Sequence, residues 1–333
     1  MGPHPAVAQI RLGVRRGLAG LSRGELVLAA CSGGADSLAL AAALAFEAPR
    51  LGLRAGGVTV DHGLQDGSAQ RAARVTGILT ELRLEPVVSV AVAVARRGGQ
   101  PGAPPYQGPE GAAREARYAA LAETADAAGA ASVALGHTLD DQAETVLLGL
   151  ARGSGARSLA GMAPRSGRYL RPLLAVRRAS TRAACAALGL EPWEDPHNTD
   201  TSYARARVRG QLLPALAEVL GPGVTEALAR TADQMRADAD VLDCLAQAQA
   251  QRLAGPDGSL AAGGLAKLPP AIRMRVLRAA AIGAGCPAGA LGSRHVYALD
   301  ALVTSWHGQC GADLPGGVRC QRLSDRLTFS ARA

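Results

Sequence analysis

Four short apolar runs mark the first part of the chain, at Glu25–Cys31, Gly56–Val60, Pro86–Val94 and Ala131–Leu135, and each is followed by a stretch with apolar residues at helical spacing. Strands that alternate with helices in this way build a parallel sheet wrapped by helices, an α/β fold. Val7–Leu21 reads as an amphipathic helix ahead of the first strand. A composition shift near Leu213–Pro214 and Gly221–Pro222–Gly223 predicts a boundary, giving one domain over residues 1–215 and a smaller one over 216–333. The second is expected to be mostly helical. Val224–Leu253 is a long amphipathic helix, Ala271–Ala281 and His295–Trp306 supply two more, and a short extended piece covers Gly317–Ser330.

Composition supports two globular domains: 333 residues, 48% of them hydrophobic, are enough for a sizeable buried core. The net charge of +8 falls mainly in the first domain, which carries 24 basic and 18 acidic side chains against 12 and 10 in the second. Between Glu144 and Glu191 stand eight arginines (Arg152, Arg157, Arg165, Arg168, Arg171, Arg177, Arg178 and Arg182) and no acid. Such a stretch is the electrostatic footprint of a polyanion partner, or else a solvated surface. The modest +2 of the second domain points to contacts of shape more than a broad electrostatic grip. Six cysteines are scattered without a Cys-x-x-Cys pair, so no zinc knuckle or iron–sulfur site is indicated and reduced, cytoplasmic thiols are expected. No apolar run is long enough to span a membrane. The acid-free, arginine-rich start resembles a transit peptide only superficially, because it doubles as the first helix.

Ser32-Gly33-Gly34-Ala35-Asp36-Ser37 lies directly between the first strand and a helical pattern at Leu38–Phe46. The glycines let the backbone come close to a ligand, and the helix start offers unpaired N–H groups with partial positive charge, so phosphate is the natural occupant. The plainer alternative is an ordinary turn with Asp36 and Ser37 as helix-start residues. A Walker loop, which needs Gly-Lys-Ser/Thr, is excluded because the chain has a single lysine, Lys267, and the other common phosphate turn, Gly-x-Gly-x-x-Gly, does not follow the strand. Asp61-His62 and Gly136-His137 fall after the second and fourth strands, at the carboxyl ends where such sheets bind ligands. The glycine- and proline-rich segment Arg97–Gly111 is expected to be a long loop, either a lid over the site or disordered. Gly136–Thr145 opens a helix with Asp140 and Glu144 on one face and Asp141 and Thr145 on the next. Carboxylates on one helical turn bind cations, although acids at a helix start also complement its dipole.

Ser-Gly-Gly-x-Asp-Ser resembles the signature of the PP-loop family, the N-type ATP pyrophosphatases. The rest of the first domain resembles the tRNA(Ile)-lysidine synthetases within that family. The matching pieces run in order through Asp61-His62-Gly63-Leu64, Glu110 with Arg114 and Arg117-Tyr118, Asp140–Thr145, Arg152–Gly155, Arg171–Leu174, Trp193–Pro196 with Asn198 and Asp200, and Tyr203, Arg205, Arg207 and Arg209. Gly136, Thr138, Gln65, Ser158, His197 and Ala206 depart from the usual pattern, which bears on tRNA contacts more than on the reaction.

The resemblance implies a Rossmann-like PP-loop domain and an ATP-dependent carbon–nitrogen ligase. The substrates it implies are a tRNA(Ile) with a CAU anticodon and free L-lysine, with Mg²⁺ assisting. By the same implication, Ser32, Gly33, Gly34, Ala35, Asp36 and Ser37 hold the phosphates, Asp61 and His62 the adenosine, and Asp36 the Mg²⁺. Arg114 would offset charge on the adenylate, and Asp140, Asp141 and Glu144 would bind lysine. Asp36, Arg114, His137 and Asp141 are the expected catalytic set, with His137 accepting a proton. Arg152, Arg205, Arg207 and Arg209 are expected on the tRNA, with the lysine carboxylate an alternative for Arg205 and Arg207. An ε-amine with a pKa of about 10.4 must lose a proton before it attacks, so the lysine pocket has to bind without holding the ammonium. The helical domain is expected to read tRNA parts other than the anticodon, which methionine tRNA shares. Alternatives are a PP-loop tRNA thiolase, a small-molecule amidating synthetase, and a non-catalytic RNA-binding protein of this fold. A homodimer is left open.

Overall fold

The computed structural model describes residues 2–61, 63, 67–92, 109–153, 155–195 and 200–331. They form two compact units, Met1–Arg152 with Leu159–Asp233, and Gly153–Ser158 with Gln234–Ala333. The division falls inside a long helix, later than the composition shift that suggested 215–216.

The first unit contains, in order, α1 (Pro5–Gly17), β1 (Leu26–Ala30), α2 (Ala35–Arg50), β2 (Arg54–Asp61), α3 (Ser68–Glu81), β3 (Val87–Ala91), α4 (Pro109–Ala127), β4 (Ala130–Leu135) and α5 (Leu139–Ala151). After the short α6 (Ala156–Leu159) come β5 (Arg165–Ser166), β6 (Tyr169–Leu170), α7 (Arg178–Ala187), α8 (Ala204–Arg207), a π-helical turn at Val208–Leu212, and α9 (Leu213–Leu220). The sheet runs β3-β2-β1-β4-β6-β5, parallel except for the β5–β6 pair. Strand order reverses between β1 and β4, so the turns that follow these two strands meet at the switch point where such sheets bind ligands.

β1 is central and buried on both faces, which is why its sequence is a continuous apolar run. Val27 and Ala29 pack with Ile10, Val14, Leu38, Leu44 and Leu173, while Leu26 and Leu28 pack on the other face with Val58, Leu121 and Val133. α1 is the amphipathic helix the sequence predicts: Val7, Ile10 and Val14, at helical spacing, are buried. Its Arg15 makes a two-pronged ion pair with Glu47 of α2, at 2.8 and 3.1 Å. Of the segment expected as a loop at 97–111, residues 97–108 lie outside the described residues and 109–111 already belong to α4.

The long helix α10 (Val224–Leu253) leads into the second unit, which adds β7 (Leu260–Ala261), α11 (Ala262–Ala266), α12 (Pro270–Gly283), α13 (Ser293–Thr304), β8 (Ala312–Leu314), β9 (Val318–Leu323) and β10 (Arg326–Ala331). The expected extended piece is the β9–β10 hairpin of a four-stranded sheet, β7-β10-β9-β8, with antiparallel pairing throughout. Leu265, Val276, Leu277, Leu299, Cys320 and Leu327 form its core. Among the described residues no single helix is long and apolar enough to cross a membrane.

Candidate active site

The turn after β1 requires its glycine. Gly33 has φ +86°, and a Cβ there would stand 2.9 Å from Val75 Cγ2. Its carbonyl accepts a hydrogen bond from the Trp193 N–H at 2.9 Å, which ties the loop to the segment that follows α7. α2 starts at Gly34, in extended conformation, with no side chain capping it. The first-turn N–H groups thus keep their capacity to bind an anion. The Ser37 hydroxyl is turned into the loop, donating to Gly34 O at 2.9 Å and accepting from Ser32 N–H at 3.2 Å. Ser32 is exposed, whereas Ser37 braces the loop from inside.

The turn after β4 lies against this loop. A Cβ on Gly136 would come 3.0 Å from the carbonyl carbon and oxygen of Asp36 and 3.1 Å from Ser37 N, so glycine lets the two turns approach without displacing the Asp36 backbone. α5 then starts in a capping box: Thr138 N–H donates to Asp141 Oδ2 at 2.8 Å, and Asp141 N–H reaches back to Thr138 Oγ1 at 3.5 Å. After β2, Asp61 Oδ1 accepts from Gly63 N–H at 2.9 Å and so holds the turn. His62 lies outside the described residues.

The expected carboxylates do converge, around a residue that motif reading had assigned no role. Arg178, at the start of α7, donates to Asp141 Oδ1 at 2.8 Å, to Glu144 Oε1 at 3.3 Å and to Asp36 Oδ2 at 3.4 Å. Its backbone N–H donates to Asp140 Oδ2 at 2.8 Å. Glu144 is fully buried and also accepts two bonds from Arg209, at 2.8 and 3.1 Å. Arg205 Nε stands 3.3 Å from Glu144 Oε2, and its guanidinium donates to Thr145 Oγ1 at 3.0 Å. Thr181 donates to Asp36 Oδ1. The π-helical turn that carries Arg209 also buries Val208 against Ala143 of α5. Four carboxylates and four arginines, 178, 205, 209 and, 3.9 Å from Asp140, Arg177, therefore form one charge-compensated cluster. The acidic face expected to receive an ammonium is already answered by guanidinium groups, because α7 and the α8–π segment fold over α5.

Burial opposes ionisation throughout this cluster. Burial raises Asp36 above the ordinary carboxylate range, in spite of Thr181 and Arg178. For Asp141 burial is outweighed by Arg178, the Thr138 N–H, His137 and Arg209, and its carboxyl is held below that range. Arg178 is raised despite burial by Asp141, Glu144, Asp36 and Asp140. His137 is lowered to about 4, first by burial and then by Arg171, Arg114 and Arg205, with Asp141 opposing them, and its Nδ1 is buried without a partner. The imidazole is neutral at pH 7.

The remaining predicted residues lie apart from the cluster. Arg114 stacks over Tyr118 at 4.9 Å and donates to its hydroxyl at 3.1 Å, and the Glu110 side chain expected beside it lies outside the described ones. Arg152 is exposed at the end of α5. Arg207 donates to the carbonyls of Thr201 and Ser202, at 2.7 and 2.8 Å. The acid-free arginine stretch is only partly a solvated face. Arg168 pairs with Asp126, Arg177 with Glu226, Arg182 with Glu194, and Arg157 with Asp240, while Arg171 and Arg178 are turned inward. The acids missing from the local sequence come from distant parts of the chain.

All six cysteines are unpaired. Burial raises Cys31 and takes Cys185 to about 11, so neither thiol beside the loop is ionised at neutral pH. Among the described residues no group of three or more His, Cys, Asp or Glu side chains is arranged for a metal ion. Mg²⁺ needs only one or two carboxylates beside phosphate oxygens and water. Asp36 suits that requirement: it stands in the first turn of α2 and shares a single cation, Arg178, with Asp141.

A parallel sheet with an uncapped Ser-Gly-Gly-x-Asp-Ser turn at its switch point defines a PP-loop domain, and the family model described as PP-loop domain matches residues 14–216. A second model, the TilS substrate binding domain, matches residues 260–328. The chain is 61% identical to a tRNA(Ile)-lysidine synthase of Thermobifida fusca over 99% of both chains, and 54% identical to that of Streptomyces coelicolor over 99% of both. It is 57% identical to the one of Salinispora arenicola, over 97% of this chain and 96% of the other. The chain belongs to the tRNA(Ile)-lysidine synthase family. Among solved structures, the U34-tRNA thiolase NcsA of Methanococcus maripaludis shares the fold, with a TM-score of 0.54 at 17% identity over 69% of this chain and 79% of that one.

Proposed function

We propose that the chain is an ATP-dependent carbon–nitrogen ligase that converts the wobble cytidine of a CAU-anticodon tRNA(Ile) to lysidine, with free L-lysine as the amine donor. The observation that carries this reading is the meeting of the uncapped α2 start with the carboxylate cluster, through Asp36 and the Gly136 backbone. Family membership supports the same reaction. In the first half, the cytidine O2 attacks the α-phosphorus of ATP; the O–Pα bond forms as the bond to pyrophosphate breaks. In the second, the ε-amine attacks C2, AMP leaves with the C2–O electron pair, and the amine gives up a proton.

The loop backbone and Ser32 would hold the departing pyrophosphate, with Ser37 shaping the loop. Asp36 would hold Mg²⁺, which supplies positive charge to the leaving phosphates. Asp141, Glu144 and Asp140 act with Arg178, Arg205 and Arg209 as a balanced polar surface. Such a surface suits a zwitterionic amino acid, whose ammonium and carboxylate each need a counter-charge, and does not stabilise the ε-ammonium that must lose its proton. His137, neutral and with an unpartnered Nδ1, would take that proton. The cytidine lies in a single-stranded loop, so turning it into a pocket costs little. The second unit would read tRNA features outside the anticodon. A cytoplasmic location follows from a tRNA substrate, and the exposed Val219 and Leu220 offer an apolar surface for a second copy.

The test is incorporation of labelled lysine into a tRNA(Ile) CAU transcript with ATP and Mg²⁺, beside the methionine CAU transcript and an Asp36→Ala protein. Label confined to the isoleucine tRNA and lost with Asp36→Ala is expected. Adenylate formed without lysine transfer would point to another nucleophile.

A further inference from the structure

A second cationic group at the carboxyl end of the sheet has no task in the ligase reading. Arg171 follows β6 directly and is only 9% exposed. Its backbone N–H donates to Pro164 O at 2.8 Å, and one terminal nitrogen donates to Ala163 O at 2.9 Å. Its Nε is buried without a partner. Leaving a buried donor of a charged group unpaired is costly, so such atoms call for an explanation. The side chain lines an open hollow of about 350 Å³ together with Gly111, Arg114, Glu115 and Tyr118. No ion pair forms between Arg171 and a carboxylate among the described residues. Strand β4 lies beside β6, and at its end His137 carries a second buried, unpartnered atom, Nδ1.

Two guanidinium groups and a phenol ring thus border one open hollow, with Glu115 the lone carboxylate among its lining residues, and both arginines act electrostatically on His137. A planar guanidinium fork suits a phosphate oxygen, and an aromatic ring beside it suits a nucleobase. We propose that Arg171, with Arg114, binds a phosphate group of the reacting substrate in this hollow, within electrostatic reach of His137. The proposal rests on the ligase reading and deepens it. The phosphate is either the α-phosphate of the nucleotide or a backbone phosphate beside the extruded cytidine. In both cases its negative charge offsets the two arginines that depress His137 and raises the proton affinity of the imidazole as the substrate arrives. Proton acceptance is thereby tied to an occupied site.

The test uses the full chain carrying Arg171→Met, Arg171→Lys or Arg114→Met, with melting temperatures taken to confirm folding. ATP affinity is measured by titration and tRNA affinity across a salt series. For an RNA phosphate, Arg171→Met leaves ATP affinity unchanged and reduces the slope of log affinity against log salt by about 0.7. For the nucleotide phosphate, ATP affinity falls about tenfold or more and the slope is unchanged. Arg171→Lys, which keeps the charge, recovers part of the loss in either case. Both affinities and the slope at wild-type values in folded variants would overturn the proposal, as would a loss of activity that only follows a fall in melting temperature. If Arg171→Met does not fold, the same readouts on Arg171→Lys and Arg114→Met decide. Because these are binding measurements, they are independent of lysine transfer: wild-type protein without that transfer refutes the ligase reading, while unaltered binding in the variants refutes only the role of Arg171.

Discussion

Arg178 and Asp141 are joined by a 2.8 Å bond between guanidinium and carboxylate, with side-chain exposures of 18% and 13%. Their partners Glu144, fully buried, and Asp36, about a quarter exposed, complete a largely buried network. Removing one member of such a pair leaves the other charge buried and uncompensated, which costs about 3 kcal/mol. Arg178→Ala is therefore expected to lower unfolding free energy by that order in urea titrations, and Arg178→Lys by less. Asp141 has its folded pKa below the unfolded value, so its contribution is present above about pH 4 and is lost as pH falls through the folded value. In Arg178→Ala this acid limb should flatten. A loss under about 0.5 kcal/mol would show the pair to be screened.

Glu144 and Arg209 test the same cluster from the other side. Glu144 has no exposure and receives two bonds from Arg209. In a double-mutant cycle of Glu144→Gln and Arg209→Gln, the coupling energy is expected to exceed about 1 kcal/mol, since residues sharing one network are not additive. Additivity within about 0.3 kcal/mol would mean that Arg178 and Arg205 compensate Glu144 without Arg209.

Gly136 sets the spacing between the two turns. In Gly136→Ala the new methyl would press on the Asp36 backbone at 3.0 Å, and backbone cannot yield as a flexible side chain can. The shift needed is a few tenths of an ångström, so ATP–pyrophosphate exchange should fall by about 10-fold, less than the roughly 100-fold of a 1 Å misplacement, with a stability loss of about 1–3 kcal/mol. Exchange at the wild-type rate would mean that the Asp36 turn can move without harm.

The glycine turn after β1 was legible because a positive φ and a close backbone approach leave their mark as glycine, and because β1 is apolar on both faces. The acid motif at Asp140–Thr145 was legible as a helix start, but its charge balance was not. Arg178 is 37 residues from Asp141 and 142 from Asp36 in sequence, and no local pattern reports contacts of that range. One signal was available: four carboxylates without local counter-charge, and further along an arginine run without local acid. Read together they predict each other as partners, where read singly they suggested a cation site and a polyanion surface. The small sheet of the second unit escaped for a different reason. β7 has two residues and β8 three, too few for alternation to show.

His137 gives a prediction in pH. Burial and the arginines 171, 114 and 205 hold its pKa at about 4, against about 6.5 when unfolded. Between these values the unfolded chain binds the proton and the folded chain does not, so stability falls as pH drops from about 6.5 toward 4. His137→Gln has no such titration. Thermal melts of the two proteins should run parallel above about pH 7 and diverge below it, the wild type losing more. Proton exchange at the imidazole, followed by NMR, should place its midpoint below pH 5 in the protein alone and higher once a phosphate-bearing substrate is added. A midpoint near 6.5 in both states would mean that the arginines do not act on His137, and the link between substrate arrival and proton acceptance would fall with it.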